Sequence, residues 1–307
     1  MNAIEVEVLF KEYGHVKAVG GVSFVVEQGS IFGILGPNGA GKTTTIECAI
    51  GLKQPSAGRV RVLGMDPLKS RRKLFERVGV QLQEASYQDK IKVWELCQVF
   101  SSMYDTSVDY EQLLAKLGIA EKRNAYFGSL SGGEKQKLSI LLALLPNPEI
   151  VVLDELTTGL DPNARQMMWR HIGAMKADGR TVFMTTHYME EAEQLCDSIC
   201  IIDHGHIIAS GSVREVIASC GLDIVTTFVS DANGLEEPLS SLEQVTSVQH
   251  TAKQYTVHCA GERAPGRVAW LLETRGIRYT SLSISRPTLE TAYIKLTNRS
   301  AGEVRSA

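Results

Sequence analysis

A short apolar run, Ile31-Phe32-Gly33-Ile34-Leu35, leads directly into Gly36-Pro37-Asn38-Gly39-Ala40-Gly41-Lys42-Thr43, and this junction constrains the chain more than any other stretch. The run reads as a buried strand, and the residues after it fit the pattern of two glycines flanking four residues, then Lys and Thr. A strand, a glycine loop and a helix are expected in that order. Glycines let backbone N–H groups turn inward and approach a phosphate closely. The helix that follows adds unpaired N–H groups and the positive end of its dipole. Lys42 is predicted to reach the β- and γ-phosphates of a nucleotide, and Thr43 to offer its hydroxyl to the Mg²⁺ that accompanies them. The glycines at 36, 39 and 41 lack the Gly-x-Gly-x-x-Gly spacing of a dinucleotide dehydrogenase.

The chain has 307 residues, enough for two domains and a substantial core. Its formal net charge is -3 and no basic tail or stripe occurs, so a nucleic-acid partner is not expected. The six cysteines are scattered without a Cys-x-x-Cys pair, which suggests neither a disulfide framework nor a zinc site and fits a reduced, cytoplasmic compartment. Met1 to Val8 alternates apolar and acidic residues like a strand and lacks the pattern of a signal peptide. No apolar run approaches the roughly 20 residues that a membrane-spanning helix needs.

Short strands are expected up to Leu35, then a helix from about Lys42 to Ile50 that stops at Gly51. Turn signals at Pro55 to Gly58 and Gly64 to Pro67 bracket a strand from Arg59 to Leu63. From Trp94 to Leu145 the pattern is helical, as if a helical subdomain were inserted into an α/β frame. Three continuous apolar runs follow, Ile150 to Leu153, Thr181 to Thr186 and Ser198 to Ile202, and these suit strands of a covered parallel sheet. The first two end in Asp154-Glu155 and His187. Together with Gly36, three polar clusters sit at the carboxyl ends of apolar strands, where open α/β sheets bind ligands. Composition changes near Cys220 to Asp223. Beyond it the order is strand Ile224 to Val229, helix near Leu239 to Glu243, strands Val245 to His250 and Tyr255 to Cys259, helix Arg267 to Thr274, strand Tyr279 to Ile284 and helix Leu289 to Leu296. This βαββαβ order with a terminal helix suggests a small α+β domain of ferredoxin-like type.

Asp154 is placed to hold Mg²⁺, and Glu155 to orient the water that attacks the γ-phosphate. His187 at a strand end is a third candidate. Leu130-Ser131-Gly132-Gly133-Glu134 precedes an apolar-periodic helix. Ser131 and Glu134 form a capping box there, and the two glycines expose N–H groups that an anion can use. Asp203-His204-Gly205-His206 could ligate a metal, but it lies between two strand-like runs and reads as a hairpin turn.

Four separated elements now coincide, and with them the sequence resembles the ATP-binding-cassette family, specifically an ABC transporter ATPase. They are the phosphate loop, the Leu130 to Glu134 signature, Leu153-Asp154-Glu155 with Thr157-Thr158-Gly159-Leu160-Asp161-Pro162, and Thr185-Thr186-His187. Gln83 resembles the family's glutamine loop and Tyr13 the aromatic residue that stacks on adenine. The resemblance implies a P-loop NTPase core with an antiparallel β subdomain and an inserted helical subdomain at about 86–145. The expected domains are an ATPase at 1–221 and a C-terminal accessory α+β domain at 222–307. The implied cofactors are ATP and Mg²⁺. Nucleotide contacts are expected from Tyr13, Gly36, Pro37, Asn38, Gly39, Ala40, Gly41, Lys42, Thr43, Thr44, Gln83, Ser131, Gly132 and Gly133. Thr43, Gln83 and Asp154 are expected at the metal, and Lys42, Glu155 and His187 in catalysis.

The family further implies that ATP is sandwiched head to tail between two such domains, here as a homodimer, with Asp161 communicating across the interface. It implies a separately encoded membrane permease and a place on the inner face of the cell membrane. Arg286 to Tyr293 resembles the ending of a C-terminal domain on ABC-2-type exporter ATPases, including drug and antibiotic exporters. Two residues depart from the pattern. Glu134 stands where Gln is usual, and the capping box is expected to turn its carboxylate away from a partner's phosphate. Leu156 stands where Pro is usual and is expected to loosen its turn. A soluble, non-transport ABC ATPase and a nucleotide-sensing regulatory module are the rival readings. A GTPase is disfavoured because no Asn-Lys-x-Asp occurs.

Overall fold

The computed structural model describes residues 1–82 and 87–304. Gln83 lies outside the described residues, as do the metal and nucleotide expectations attached to it. Two compact units divide the chain, Met1–Val213 and Arg214–Ala307. In chain order the first contains β1 (Asn2–Tyr13), β2 (Val16–Glu27), β3 (Ile31–Leu35), α1 (Lys42–Ala49), β4 (Ala57–Val62), α2 (Arg71–Phe75), β5 (Val78–Gln81), α3 (Val93–Ser101), α4 (Tyr110–Lys116), α5 (Gly132–Leu144), β6 (Ile150–Asp154), α6 (Pro162–Ala177), β7 (Thr181–Thr186), α7 (Met189–Leu195), β8 (Ser198–Asp203) and β9 (His206–Ser212).

The central sheet has the order β5-β6-β7-β3-β8-β9, parallel except for the last pair. Every residue of β3, β6 and β7 is buried, which is why these strands read as unbroken apolar runs and not as alternating ones. Successive side chains alternate faces. Ile31, Val151, Leu153, Val182 and Met184 pack with the helices α3 to α6. Phe32, Ile34, Ile150, Val152 and Phe183 pack with α1 and the antiparallel sheet β2-β1-β4 on the other side. The sheet is thus covered on both faces, and its carboxyl edge is left for chemistry.

The hairpin between β8 and β9 is closed by His204 and Gly205, with φ of 46° and 77°. That left-handed pair is what a tight two-residue hairpin demands. The turn also braces the phosphate loop: Gly205 N–H donates to the Ala40 carbonyl at 3.0 Å, and the Gly205 carbonyl accepts from Gly20 N–H at 2.8 Å.

The second unit holds α8 (Val213–Ser219), β10 (Ile224–Val229), α9 (Glu236–Ser240), β11 (Val245–Thr251), β12 (Gln254–Cys259), α10 (Ala264–Thr274), β13 (Thr280–Ser285) and α11 (Leu289–Val304). Its antiparallel sheet runs β11-β12-β10-β13, the strand order of a ferredoxin-like domain. Phe228, Leu239, Tyr255, Val257 and Leu272 form a core of its own. The chain passes into this unit ahead of the boundary read from composition, because buried Cys220 sits beside the Ala292 carbonyl at 3.8 Å. Helix α9 also begins earlier than the sequence suggested. Glu236 and Glu237 occupy its first turn, where acidic side chains favour the dipole, and Leu239 turns into the core.

Leu156 does not leave a loose turn. It is 3 % exposed and packs in the same cluster as Leu153, Leu160 and Met168. Apolar packing therefore restrains the segment where a Pro would have restrained the backbone. Leu156→Ala is expected to cost about 2–5 kcal/mol of stability, read as a lowered denaturation midpoint in urea at unchanged m-value.

Candidate nucleotide-binding site

The phosphate loop leaves β3 and enters α1 under close backbone approach. A Cβ at Gly36 would lie 2.2 Å from the Ile202 carbonyl oxygen, and one at Gly41, where φ is 102°, would lie 2.4 Å from the Ala18 carbonyl. No larger residue fits either position. Helix α1 has no side-chain cap and no acidic residue in its first turn, so its N-terminal N–H groups remain for an anion. A cleft of about 320 Å³ opens over it, lined by the expected Asn38, Gly39, Gly41, Lys42, Thr43, Thr44 and Glu155, and by Ala18. Gly36, Pro37 and Ala40 frame the loop: the Gly36 and Pro37 carbonyls accept from Lys42 Nζ at 3.0 and 3.1 Å.

Asp154 ends β6 and is 1 % exposed. Its Oδ1 accepts from Thr43 Oγ1 at 3.3 Å and from Thr185 Oγ1. Burial pushes its pKa up, and the two hydroxyls oppose that shift. Its Oδ2 is buried without a hydrogen-bond partner among the described residues. An orphaned carboxylate oxygen next to a threonine hydroxyl is the donor chemistry that a hard divalent cation takes, so the residues present fit Mg²⁺.

Glu155 has a φ of 47°, rare for a side chain with a Cβ. In a continuing strand, Asp154 and Glu155 would point to opposite faces. The left-handed turn breaks that alternation and brings both carboxylates to the phosphate loop, Asp154 to Thr43 and Glu155 to Lys42, whose Nζ lies 3.0 Å from Glu155 Oε1. Glu155 N–H donates to Thr185 Oγ1 at 3.0 Å, so one hydroxyl holds both neighbours. His187 Nδ1 lies 3.6 Å from Glu155 Oε2 and is itself buried without a hydrogen-bond partner among the described residues. Lys42, Asp154, Glu155 and His187 thus meet at the carboxyl edge of the sheet.

Tyr13 is half-exposed at the end of β1 and does not line this cleft; Lys11 Nζ lies 4.8 Å over its ring. Ser131, Gly132 and Gly133 lie elsewhere too. With Gly159, Leu160 and Asp161 they line a second cleft, of about 310 Å³, that shares no residue with the first. The capping box is formed: Ser131 N–H donates to Glu134 Oε2 at 2.8 Å and Glu134 N–H to Ser131 Oγ at 3.3 Å. Lys122 Nζ lies 3.1 Å from Glu134 Oε1. Asp161 caps α6, accepting from Asn163 and Ala164 N–H at 3.0 Å each. Thr185 entered the sequence reading only as part of the Thr185-Thr186-His187 element and was given no role of its own.

The description of the ABC transporter family matches residues 19–158. A Nod factor export ATP-binding protein I from Burkholderia orbicola (strain AU 1054) is 38 % identical over 297 residues, covering 94 % of this chain and 95 % of that protein. The protein of the same name from Paraburkholderia xenovorans (strain LB400) is 36 % identical, covering 97 % of each. Among solved structures, an ATP-binding subunit of an ABC transporter superposes with a TM-score of 0.65 at 28 % identity, over 71 % of this chain and 93 % of that one. An ATP-binding cassette in its ADP conformation gives a TM-score of 0.62 at 26 % identity, over 70 % and 92 %.

The Ser131 N–H and, after it, Lys122 hold the Glu134 carboxyl below its ordinary range. A folded pKa below the unfolded one contributes stability above the unfolded value of about 4.3, and that contribution is lost as pH falls through the folded value. Denaturation midpoints should show a parent advantage over Glu134→Gln at neutral pH that shrinks on acidification below about pH 4.

Proposed function

The chain belongs to the ABC transporter family of ATP-binding subunits, and on that footing we propose that it is the ATP-hydrolysing subunit of an exporter, acting as a homodimer on a separately encoded membrane permease. The observation that carries this reading is the meeting of Lys42, Asp154, Glu155 and His187 at one sheet edge, in a chain whose relatives are named for Nod factor export. Those names favour neither the non-transport reading nor the sensing module. The cargo is a small molecule such as a drug or antibiotic, selected by the permease. Among the described residues no helix is long and apolar enough to cross a membrane, which leaves the spanning role to that partner. The proposed location is cytoplasmic, against the inner face of the membrane.

The loop amides and Lys42 receive the β- and γ-phosphates of ATP, and the exposed ring of Tyr13 stacks on adenine. Thr43 Oγ1 and Asp154 Oδ2 would hold Mg²⁺, which when bound neutralises charge on the phosphates. A phosphate competes for Lys42 with Glu155, so binding exchanges an internal ion pair for an ionic contact with substrate. Glu155 then orients the attacking water and takes its proton, and His187 steadies the γ-phosphate. Since Ser131, Gly132 and Gly133 line the second cleft and not the first, they serve the ATP of a partner copy, and Asp161 beside them lies at the interface.

In Glu155→Gln, hydrolysis is expected to fall by roughly 10²–10⁴ while ATP binding persists. Turnover equal to the parent would remove Glu155 from this role. Expressed with its neighbouring genes, the tagged chain is expected to co-purify from membranes with a multi-helix protein, and recovery without one would count against the transport assignment.

A further inference from the structure

His187 approaches Glu155 at 3.6 Å through Nδ1, yet that nitrogen has no hydrogen-bond partner among the described residues. An imidazole without such a bond takes its orientation from what packs against the ring. Here that neighbour is Tyr188, whose ring lies 4.1 Å from the His187 ring, centroid to centroid, with the planes tilted by 39°.

Tyr188 occupies the N-cap of α7, where Ser, Thr, Asp or Asn would bond a free N–H of the first turn. Its side chain makes no such bond. Its backbone is tied on both sides: the N–H donates to Thr186 Oγ1 at 3.0 Å, and the carbonyl accepts from Ala192 N–H at 3.3 Å. The main chain therefore fixes the residue, and the ring is left to pack on His187.

The same ring carries a second contact, from a different helix. The Arg165 guanidinium carbon lies 4.2 Å from the Tyr188 centroid, well within cation–π range. Arg165 stands one turn into α6, after Asp161, and its Nε is buried without a hydrogen-bond partner among the described residues. A charge placed so is stabilised by the electron-rich face of the ring. One turn further along α6, Trp169 Nε1 donates to Glu191 Oε1 at 2.9 Å. Glu191 is 1 % exposed and lies in the first turn of α7, so this bond pins α6 to α7 beside the stack.

We propose that Tyr188 is a positioning residue for ATP hydrolysis: clamped by Arg165 from α6, its ring holds the His187 imidazole in place beside Glu155. The proposal rests on the reading of His187 as the group that steadies the γ-phosphate. Neither Arg165 nor Tyr188 lines the nucleotide cleft, so both act through His187, and their loss falls on kcat with the phosphate loop intact.

The test uses the full chain, with steady-state ATPase kinetics, ATP affinity by calorimetry and a denaturation midpoint for each variant. Tyr188→Leu is expected to lower kcat about 10-fold, within the ~10²-fold that an ångström-scale misplacement costs, with ATP affinity held. Tyr188→Phe keeps the ring and should recover most of that loss. Arg165→Met removes the charge at similar length and should lower kcat in the same way, with Arg165→Lys recovering part of it. Because Arg165 acts only through the ring, Arg165→Met added to Tyr188→Leu should cost no more than Tyr188→Leu alone. If Tyr188→Leu does not fold, the contrast between Arg165→Met and Arg165→Lys decides. Parental kcat in folded Tyr188→Leu or Arg165→Met, in a protein whose His187→Ala variant is slow, would overturn the proposal. So would fully additive losses in the double variant, or equal losses in kcat and ATP affinity. Parental turnover in His187→Ala would instead break the premise.

Discussion

A carboxylate taken out of water must be given donors, and at the carboxyl edge of this sheet that requirement organises everything else. Asp154 is buried at the end of β6, and Thr185 supplies the hydroxyl that makes its burial tolerable. The same oxygen accepts the amide of Glu155, so satisfying one carboxylate fixes the backbone that carries the next. Thr186, the next residue of β7, turns the other way, and its Oγ1 accepts from Tyr188 N–H at 3.0 Å. Adjacent strand residues point to opposite faces. Two consecutive threonines at one strand end therefore brace the two sides of a sheet, one holding Asp154 and the Glu155 amide, the other the turn into α7.

The burial pattern explains which parts of the fold could be read in advance. β3, β6 and β7 are covered on both faces, so their sequences had no choice but to be continuously apolar, and their carboxyl ends were visible as abrupt changes to polar residues. The left-handed turn at Glu155 was not visible, because nothing in Asp-Glu-Leu announces a positive φ. Glu191 was hidden for a related reason: an acidic residue in the first turn of a polar-looking helix reads as a solvated dipole partner, and only the packing of α6 and α7 shows that it is enclosed. The compact units divide at Val213 and Arg214, ahead of the composition change near Cys220, and composition cannot show that Cys220 is buried against a helix some seventy residues later.

The departures from family pattern at Glu134 and Leu156 have local physical answers. Glu134 is committed on one oxygen to the Ser131 amide and on the other to Lys122, so its charge is directed back into its own molecule. Leu156 replaces the backbone restraint of a proline with burial in the core. Both substitutions shift a constraint from covalent geometry or neutral polarity to tertiary contacts. Their cost is a dependence on neighbours that the usual residues do not have.

The β8–β9 turn carries a consequence for how this surface can vary. His204 is 94 % exposed by side chain and would pass as a tip open to change. Yet its neighbour Gly205 is bonded on one side to the phosphate loop and on the other to β2, and a Cβ there would sit 2.9 Å from the Ala18 carbonyl. Hairpin tips are ordinarily where chains accept insertions. Here a longer loop would withdraw the N–H that supports Ala40 and slacken the nucleotide cradle from behind. Divergence among related chains would then be confined to the side chain at 204, with the length of the turn held invariant by a ligand it never touches.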